Sequence, residues 1–416
     1  MTRPIVTVVY AELTTPVVRS QTPPLLRAWR AAGRQVDAAA FTSPRALFLP
    51  GAAAAHRTAR RALADALGRA PWTRTHLPRD MGLQALGASL AKALHSRGDA
   101  DSILFCRQPR AALVGIAARA RLARRQRRAT VSLDLRGQRD DEYLLSLGKT
   151  ESGLDDDERA RLAVYRKQES NACGGADGVL CVSRPMMRAV AQRHGVPESK
   201  LGRAPNHTGV VGGAEDLRAA VRKELGVSER ALLFVYSGTM AAWQMPEPSA
   251  MLVRSLRDQR PDARLLFLTP DPSAAKAAAR SAGLDGVLFR SARSDEVARY
   301  LCAADYGLLL RDDSNVNRVA CPVKFGEYLA CGVRPVMTPF VGDQSDLCSG
   351  ADLGVVVSLG DLAGAAKRLT LDMRRPRAID AEGRAARRAW ARENIAPERI
   401  AARIAEFADG IAGAVR

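Results

Sequence analysis

The chain has 416 residues, 47% hydrophobic and 26% charged, which excludes a largely disordered chain and, at roughly 100–200 residues per domain, predicts two domains or three small ones. Its formal charge is +19, and the excess is lopsided: residues 1–200 carry 33 Lys and Arg against 18 Asp and Glu, while residues 201–416 carry 30 against 26. Seven scattered cysteines without a Cys-x-x-Cys pair argue for a reducing compartment and against a structural zinc site, and no uncharged run approaches the ~18 apolar residues of a spanning helix.

Short β-rich runs alternate with longer Ala/Leu/Arg stretches along the whole chain. In the first half, strands are predicted at 5–9, 36–41, 102–105, 130–133 and 178–182, with helices near 22–32, 56–68, 83–96, 110–126, 155–171 and 184–194. The opening run Thr2–Tyr10 is too short and too β-branched for a signal segment. The densest charge run, Arg121 to Arg128, falls on a helix just before a strand. It reads as a solvated face or, with the basic half behind it, as a surface for anionic membrane. Asp155-Asp156-Asp157 reads as an exposed helix start. A turn-rich stretch from Pro205 through Gly213 marks a seam near 205–225.

The second half repeats the rhythm, with strands predicted at 231–236, 264–269, 287–289, 306–310, 335–338 and 354–357. Such alternation implies an α/β chain with two parallel sheets covered by helices, because parallel neighbours need crossovers. The domains expected are 1–205 and 206–395, followed by an amphipathic helix from 396 to the end, with Ile400, Ile404, Phe407 and Ile411 on one face.

In open α/β sheets, ligands sit beyond the carboxyl ends of strands. After the 231–236 strand come Gly238, Thr239 and Gln244, where a glycine and a following helix start suit a phosphate; a tight turn explains the glycine equally well. After the 306–310 strand, Pro322 precedes Lys324 and Glu327, which fall on one helix face. The ammonium suits a phosphate and the carboxylate suits two ribose hydroxyls.

The segment Pro322-Val-Lys324-Phe-Gly-Glu327-Tyr-Leu-Ala-Cys-Gly332-Val-Arg-Pro335-Val336 resembles the "P-x-K-x-x-E-Y-L-A-x-G-x-P-V" motif of GT-B glycosyltransferases, specifically the large retaining family 4. Val182-Ser183, Pro205-Asn206, Tyr236-Ser237-Gly238 and the Val297–Asp305 stretch resemble further landmarks in the family's order, and Asp134-Leu-Arg136-Gly137 with Glu142 resembles a motif of bacterial surface-polysaccharide members. The resemblance implies two Rossmann-like domains facing a cleft, a C-terminal helix crossing back to the N-terminal domain, and an N-terminal acceptor side and C-terminal donor domain. The implied activity is sugar transfer from a nucleotide-diphosphate sugar to a saccharide or lipid-linked acceptor, with retention. The diphosphate itself helps take the acceptor proton, so no protein nucleophile, cofactor or metal is expected. A cytoplasmic protein follows, at most peripheral on the inner face of the plasma membrane.

The chain departs from that pattern at three places. The first of two family glutamates falls at Val319, and the family's diphosphate-gripping Arg and Lys fall at Thr239 and Met245. Asn315, Asn317 and Arg318 are candidate sugar contacts instead, and Arg311 and Lys324 are the candidate diphosphate cations. His207 contacts the diphosphate or merely bonds backbone; Ser20 and Gln21 touch a ligand or belong to a polar loop; Trp243 stacks on a ligand or enters the core. Arg107 and Arg136, each following a strand, are cleft-side candidates together with Asp134. Two other functional classes stay open: a sugar-nucleotide epimerase or binding-only paralogue, and a nucleic-acid binder. The last has charge in its favour and, against it, only 5% aromatic residues and no recognition motif.

Overall fold

The computed structural model describes residues 3–10, 16–42, 44, 50–75, 82–96, 101–210, 215–293 and 295–414. Residues 211–214 of the expected seam therefore lie outside the described residues. Two compact units form, one from Met1–Pro205 with Pro397–Arg416 and one from Asn206–Ala396.

The first unit holds β1 (Ile5–Tyr10), β2 (Val36–Thr42), β3 (Trp72–Thr75), β4 (Asp101–Arg107), β5 (Arg128–Leu135), β6 (Gly178–Cys181) and β7 (Leu201–Arg203). They pair in the order β3-β2-β1-β4-β5-β6-β7 among the described residues, and every pairing is parallel. The second unit holds β8 (Leu233–Ser237), β9 (Arg264–Leu268), β10 (Leu288–Arg290), β11 (Tyr306–Leu309), β12 (Arg334–Met337) and β13 (Val355–Val356), in the all-parallel order β10-β9-β8-β11-β12-β13. Both orders are the doubly wound one, in which the sheet grows first one way and then the other from its first strand. Central strands such as β1 and β8 are buried along their whole length, which is why they read as continuous apolar runs.

The last helix, Pro397–Ala414, belongs to the first unit. Ile400, Ile404 and Ala408 join the core around Trp29 and Phe105, and Phe407 packs against it. The Trp29 indole Nε1 donates to the Ala401 carbonyl at 2.7 Å, and Arg34 grips Asp409 through two bonds of 2.7 and 2.8 Å. No helix among the described residues is long and apolar enough to cross a membrane. The seven cysteines are free and buried.

Several elements differ from the expected ones for identifiable reasons. Strands β3 and β7 went unread because an edge strand is covered on fewer sides and needs no apolar run; Trp72–Thr75 is half-buried to exposed, and Leu201–Arg203 is half-buried. The helix Arg139–Leu147 was also missed. Its first turn carries Asp140, Asp141 and Glu142, which suit the positive helix start, and Gly148 closes it at φ 61°. The first helix runs Pro16–Ala31, six residues ahead of its expected start, with Pro23 and Pro24 inside it. The helix expected to reach 126 stops at Ala123, so the basic run continues through a turn into β5 rather than lying wholly on a helix. Asp155 caps the helix Asp156–Gly175 in a capping box with Glu158, as the acidic run suggested.

Candidate functional site

In the second unit the sheet order turns back between β8 and β11, so the loops after these two strands flank the crevice where doubly wound sheets bind ligands. Gly238 follows β8 with φ 125°, a conformation L side chains rarely adopt. A Cβ there would come within 2.7 Å of Lys324 Cε. The glycine thus lets backbone and ammonium lie side by side. The helix that follows Gly238 begins only at Pro246, after a short turn at Ala242–Gln244. Tyr236 Oη donates to the Thr239 carbonyl at 2.7 Å, and the buried Gln244 donates from Nε2 to Thr239 Oγ1 at 2.5 Å.

The motif helix spans Val323–Ala330 with Pro322 as its N-cap. Asn206 and Gln344 hold its entry, since Asn206 Nδ2 donates to the Cys321 carbonyl and Gln344 Nε2 donates to the Pro322 carbonyl at 3.1 Å. Tyr328 anchors its far side by donating to the Leu308 carbonyl at 3.1 Å, its ring lying on Gly307, where a Cβ would collide with it. These anchors turn Lys324 toward the β8 loop. Its Nζ donates to Gln244 Oε1 and stands 5.5 Å from the centre of the Tyr236 ring.

Lys324 and Glu327 share a helix face without pairing; neither forms an ion pair among the described residues, and Glu327 has no hydrogen bond among them. Burial pulls the Lys324 ammonium down to about 7, the Arg311 guanidinium pushes it the same way, and Glu327 opposes both. Burial raises the Glu327 carboxyl above its ordinary value, and Lys324 offsets part of that. Arg311, after β11, is buried, with its guanidinium 5.0 Å from the Trp243 ring centre and its backbone N–H bonded to Thr338 Oγ1 at 3.0 Å. Its Nη1 donates to the Leu310 carbonyl at 2.8 Å, while its Nε is buried without a partner among the described residues. Trp243 is 39% exposed, so it is a stacking platform for Arg311 rather than a core residue. Two cationic side chains and one carboxyl group therefore converge with no ion pair made by any of them among the described residues.

The other candidates are more dispersed. Asn317 is buried and its amide is taken up inside its own loop, donating to Asp312 and, at 3.0 Å, to Ser314 Oγ. Arg318 grips Asp313 and lies over Phe340, and Asn315 is exposed nearby. His207 is buried in the second unit, between Asn206 at the motif helix entry and Thr208, whose N–H bonds Ile395. In the first unit, Asp134 accepts from Arg136 Nε at 2.8 Å and lies 3.4 Å from Arg107, with Asp134 and Arg107 deeply buried and Arg136 half-buried at the carboxyl ends of β4 and β5. Gln21 is buried and Ser20 exposed on the first helix. Thr338 was not singled out by the sequence, and Tyr236 was named only within a family landmark, not as a site residue. Their position at or just after the ends of β8 and β12 is the signal that could have found them. Among the described residues, no three His, Cys, Asp or Glu side chains cluster as a metal site would require.

No family model and no curated sequence matches the chain. Solved structures do match along its length. A glycosyltransferase from Rickettsia africae is 11% identical with a TM-score of 0.69, covering 99% of this chain and 98% of its own. HepE of Anabaena, solved with UDP, is 15% identical with a TM-score of 0.67, covering 98% and 99%. Sucrose-phosphate synthase of Thermosynechococcus elongatus is 16% identical with a TM-score of 0.66, covering 99% and 100%. The chain thus has the GT-B fold, and at such identities the likeness speaks for fold alone.

Proposed function

We propose that the chain is a glycosyltransferase that moves a sugar from a nucleoside-diphosphate sugar to a saccharide or lipid-linked saccharide, with retention of anomeric configuration. The observation that carries this reading is the unpaired set at the β8–β11 switch point: Gly238 backbone, Lys324, Arg311 and the unpartnered Glu327 carboxylate. A diphosphate supplies the missing anion, and ribose hydroxyls supply donors to Glu327. The second unit is read as the donor domain and the first as the acceptor side, with Arg107, Asp134 and Arg136 as its polar candidates.

Breaking the sugar–phosphate bond builds negative charge on the departing diphosphate, and Lys324 and Arg311 stabilise that charge where it develops. An ammonium that burial holds near 7 regains its proton when the diphosphate arrives, so its charge is greatest with the donor bound. The leaving phosphate takes the acceptor's proton, which asks no side chain for a nucleophile. HepE has been solved with UDP-glucose, which makes UDP-glucose the first donor to try.

The test is a panel of nucleotide sugars, followed by calorimetric binding and by NMR of the products with saccharide acceptors. Nucleoside diphosphate release that depends on acceptor, with an axial donor linkage kept axial, supports the proposal. Binding without turnover favours the non-catalytic reading that Thr239 and Met245 keep open, and acceptor-independent conversion of the sugar favours an epimerase.

A further inference from the structure

A polar cavity lies at the opposite end of the same sheet from the Lys324 cluster. It measures about 460 Å³ and is lined by Leu232 and Asp305, the residues just before β8 and β11. At about 3.3 Å per residue, the six steps from Leu232 to Gly238 and from Asp305 to Arg311 set it ~20 Å from those two residues.

Its lining is dominated by guanidiniums: Arg218, Arg222, Arg230, Arg260 and Arg384, against the carboxylates of Glu229 and Asp305. Asp305 is already shared, between Arg218, Arg222 and the Leu233 N–H. Arg260 is held by Asp262 through two bonds of 2.8 and 2.9 Å. Arg222 is 2% exposed and donates from Nη1 to the Ala303 carbonyl and from Nη2 to the Ser228 carbonyl, both at 2.8 Å, yet its Nε is buried without a partner among the described residues. Arg230 is exposed and makes no hydrogen bond or ion pair among them. Burial lowers the Arg222 pKa, the Asp305 carboxylate opposes that, and Arg218 and Arg384 lower it further, so the neighbouring guanidiniums act on Arg222 as well as the carboxylate.

Capping of the Ala303 and Ala304 carbonyls accounts for Arg218 and for Nη1 of Arg222, and the Ser228 and Ala231 carbonyls take up its Nη2. It leaves unexplained the orphan Nε, the unpaired Arg230 and a roomy polar cavity in which five guanidiniums face only two carboxylates, an excess of positive charge that an anion would offset. We propose that this cavity is a second anion site, taking a phosphate or pyrophosphate group, free or carried by a small metabolite, independently of the donor cluster. Guanidinium forks match such oxyanions in geometry as well as charge.

The experiment titrates pyrophosphate, inorganic phosphate and a hexose phosphate into the full chain carrying Lys324→Ala, which removes the donor-side ammonium from the measurement. Saturable pyrophosphate binding that Arg230→Glu weakens at least about ten-fold in that background, with melting unchanged, supports the proposal, and Arg230→Ala should show a smaller loss of the same sign. A hexose phosphate that outbinds the free ions assigns the source to a metabolite; the reverse assigns it to the free ion. No binding in the Lys324→Ala chain, or binding that Arg230→Glu leaves within about two-fold, overturns it. Because the donor-side ammonium is removed throughout and Arg230 lies at the other end of the sheet, a loss caused by Arg230→Glu does not depend on the function proposed above.

Discussion

Removing Lys324 and removing Glu327 should have opposite consequences for binding and for stability. In the empty fold both charges are disfavoured: burial brings the ammonium down to about 7 and raises the carboxyl, and neither is paired with the other. Lys324→Ala and Glu327→Ala are therefore expected to melt at the wild-type temperature or a few degrees above it. Losing one partner of a charge-assisted bond to a ligand costs about 1.5–3 kcal/mol, roughly ten-fold to more than a hundred-fold in affinity. Calorimetric titration with UDP and UMP separates the roles. Glu327→Ala should weaken both nucleotides alike, since both carry the ribose, whereas Lys324→Ala should harm UDP more than UMP. Folded variants that bind both nucleotides within about two-fold of wild type would show that this helix is scaffold. A large drop in melting temperature would show that its charges stabilise the fold instead.

The Lys324 ammonium also fixes a pH dependence. The folded chain gives up this proton at about 7 and the unfolded one at its ordinary value of 10.5, so wild-type stability relative to Lys324→Met should rise between these pH values; a flat difference would contradict the burial. Since a bound diphosphate favours the charged form, UDP binding near pH 8 should take up a proton, seen as heats that vary with the buffer's ionisation enthalpy and lost in Lys324→Met. Ending the chain at Ala396 removes Ile400, Ile404 and Ala408 from the first core. At ~1.5–3 kcal/mol for each large apolar side chain, calorimetry should find the first unit's melting transition abolished and that of the second kept. Anionic vesicles should bind through the exposed Arg124, Arg125 and Arg128 and release the protein as salt shortens screening from ~10 Å at 0.1 M to ~3 Å at 1 M; salt-independent binding would point away from that surface.

What the sequence made legible follows from how strongly each position is constrained. Central strands must be apolar on both faces, so β1, β8 and β11 stood out, while Trp72–Thr75 and Leu201–Arg203 at the edges did not. Pro322, Lys324 and Glu327 could be read because a helix start fixes their spacing. The partners of Lys324 could not, since Gln244 lies 80 residues away in sequence and meets it only because β8 and β11 are neighbours. Trp243 was ambiguous for the same reason: its role is set by Arg311, which arrives from another strand. Asn317 and Arg318 looked available for ligand because sequence does not reveal that Asp312 and Asp313 take them up first.

The most direct test of the account is a crystal structure of the chain with UDP. The diphosphate is expected between the Gly238 backbone and Lys324, within reach of Arg311, with the ribose hydroxyls donating to Glu327. A nucleotide bound away from these four residues, with Lys324 still on Gln244 and Glu327 still unpartnered, would contradict it.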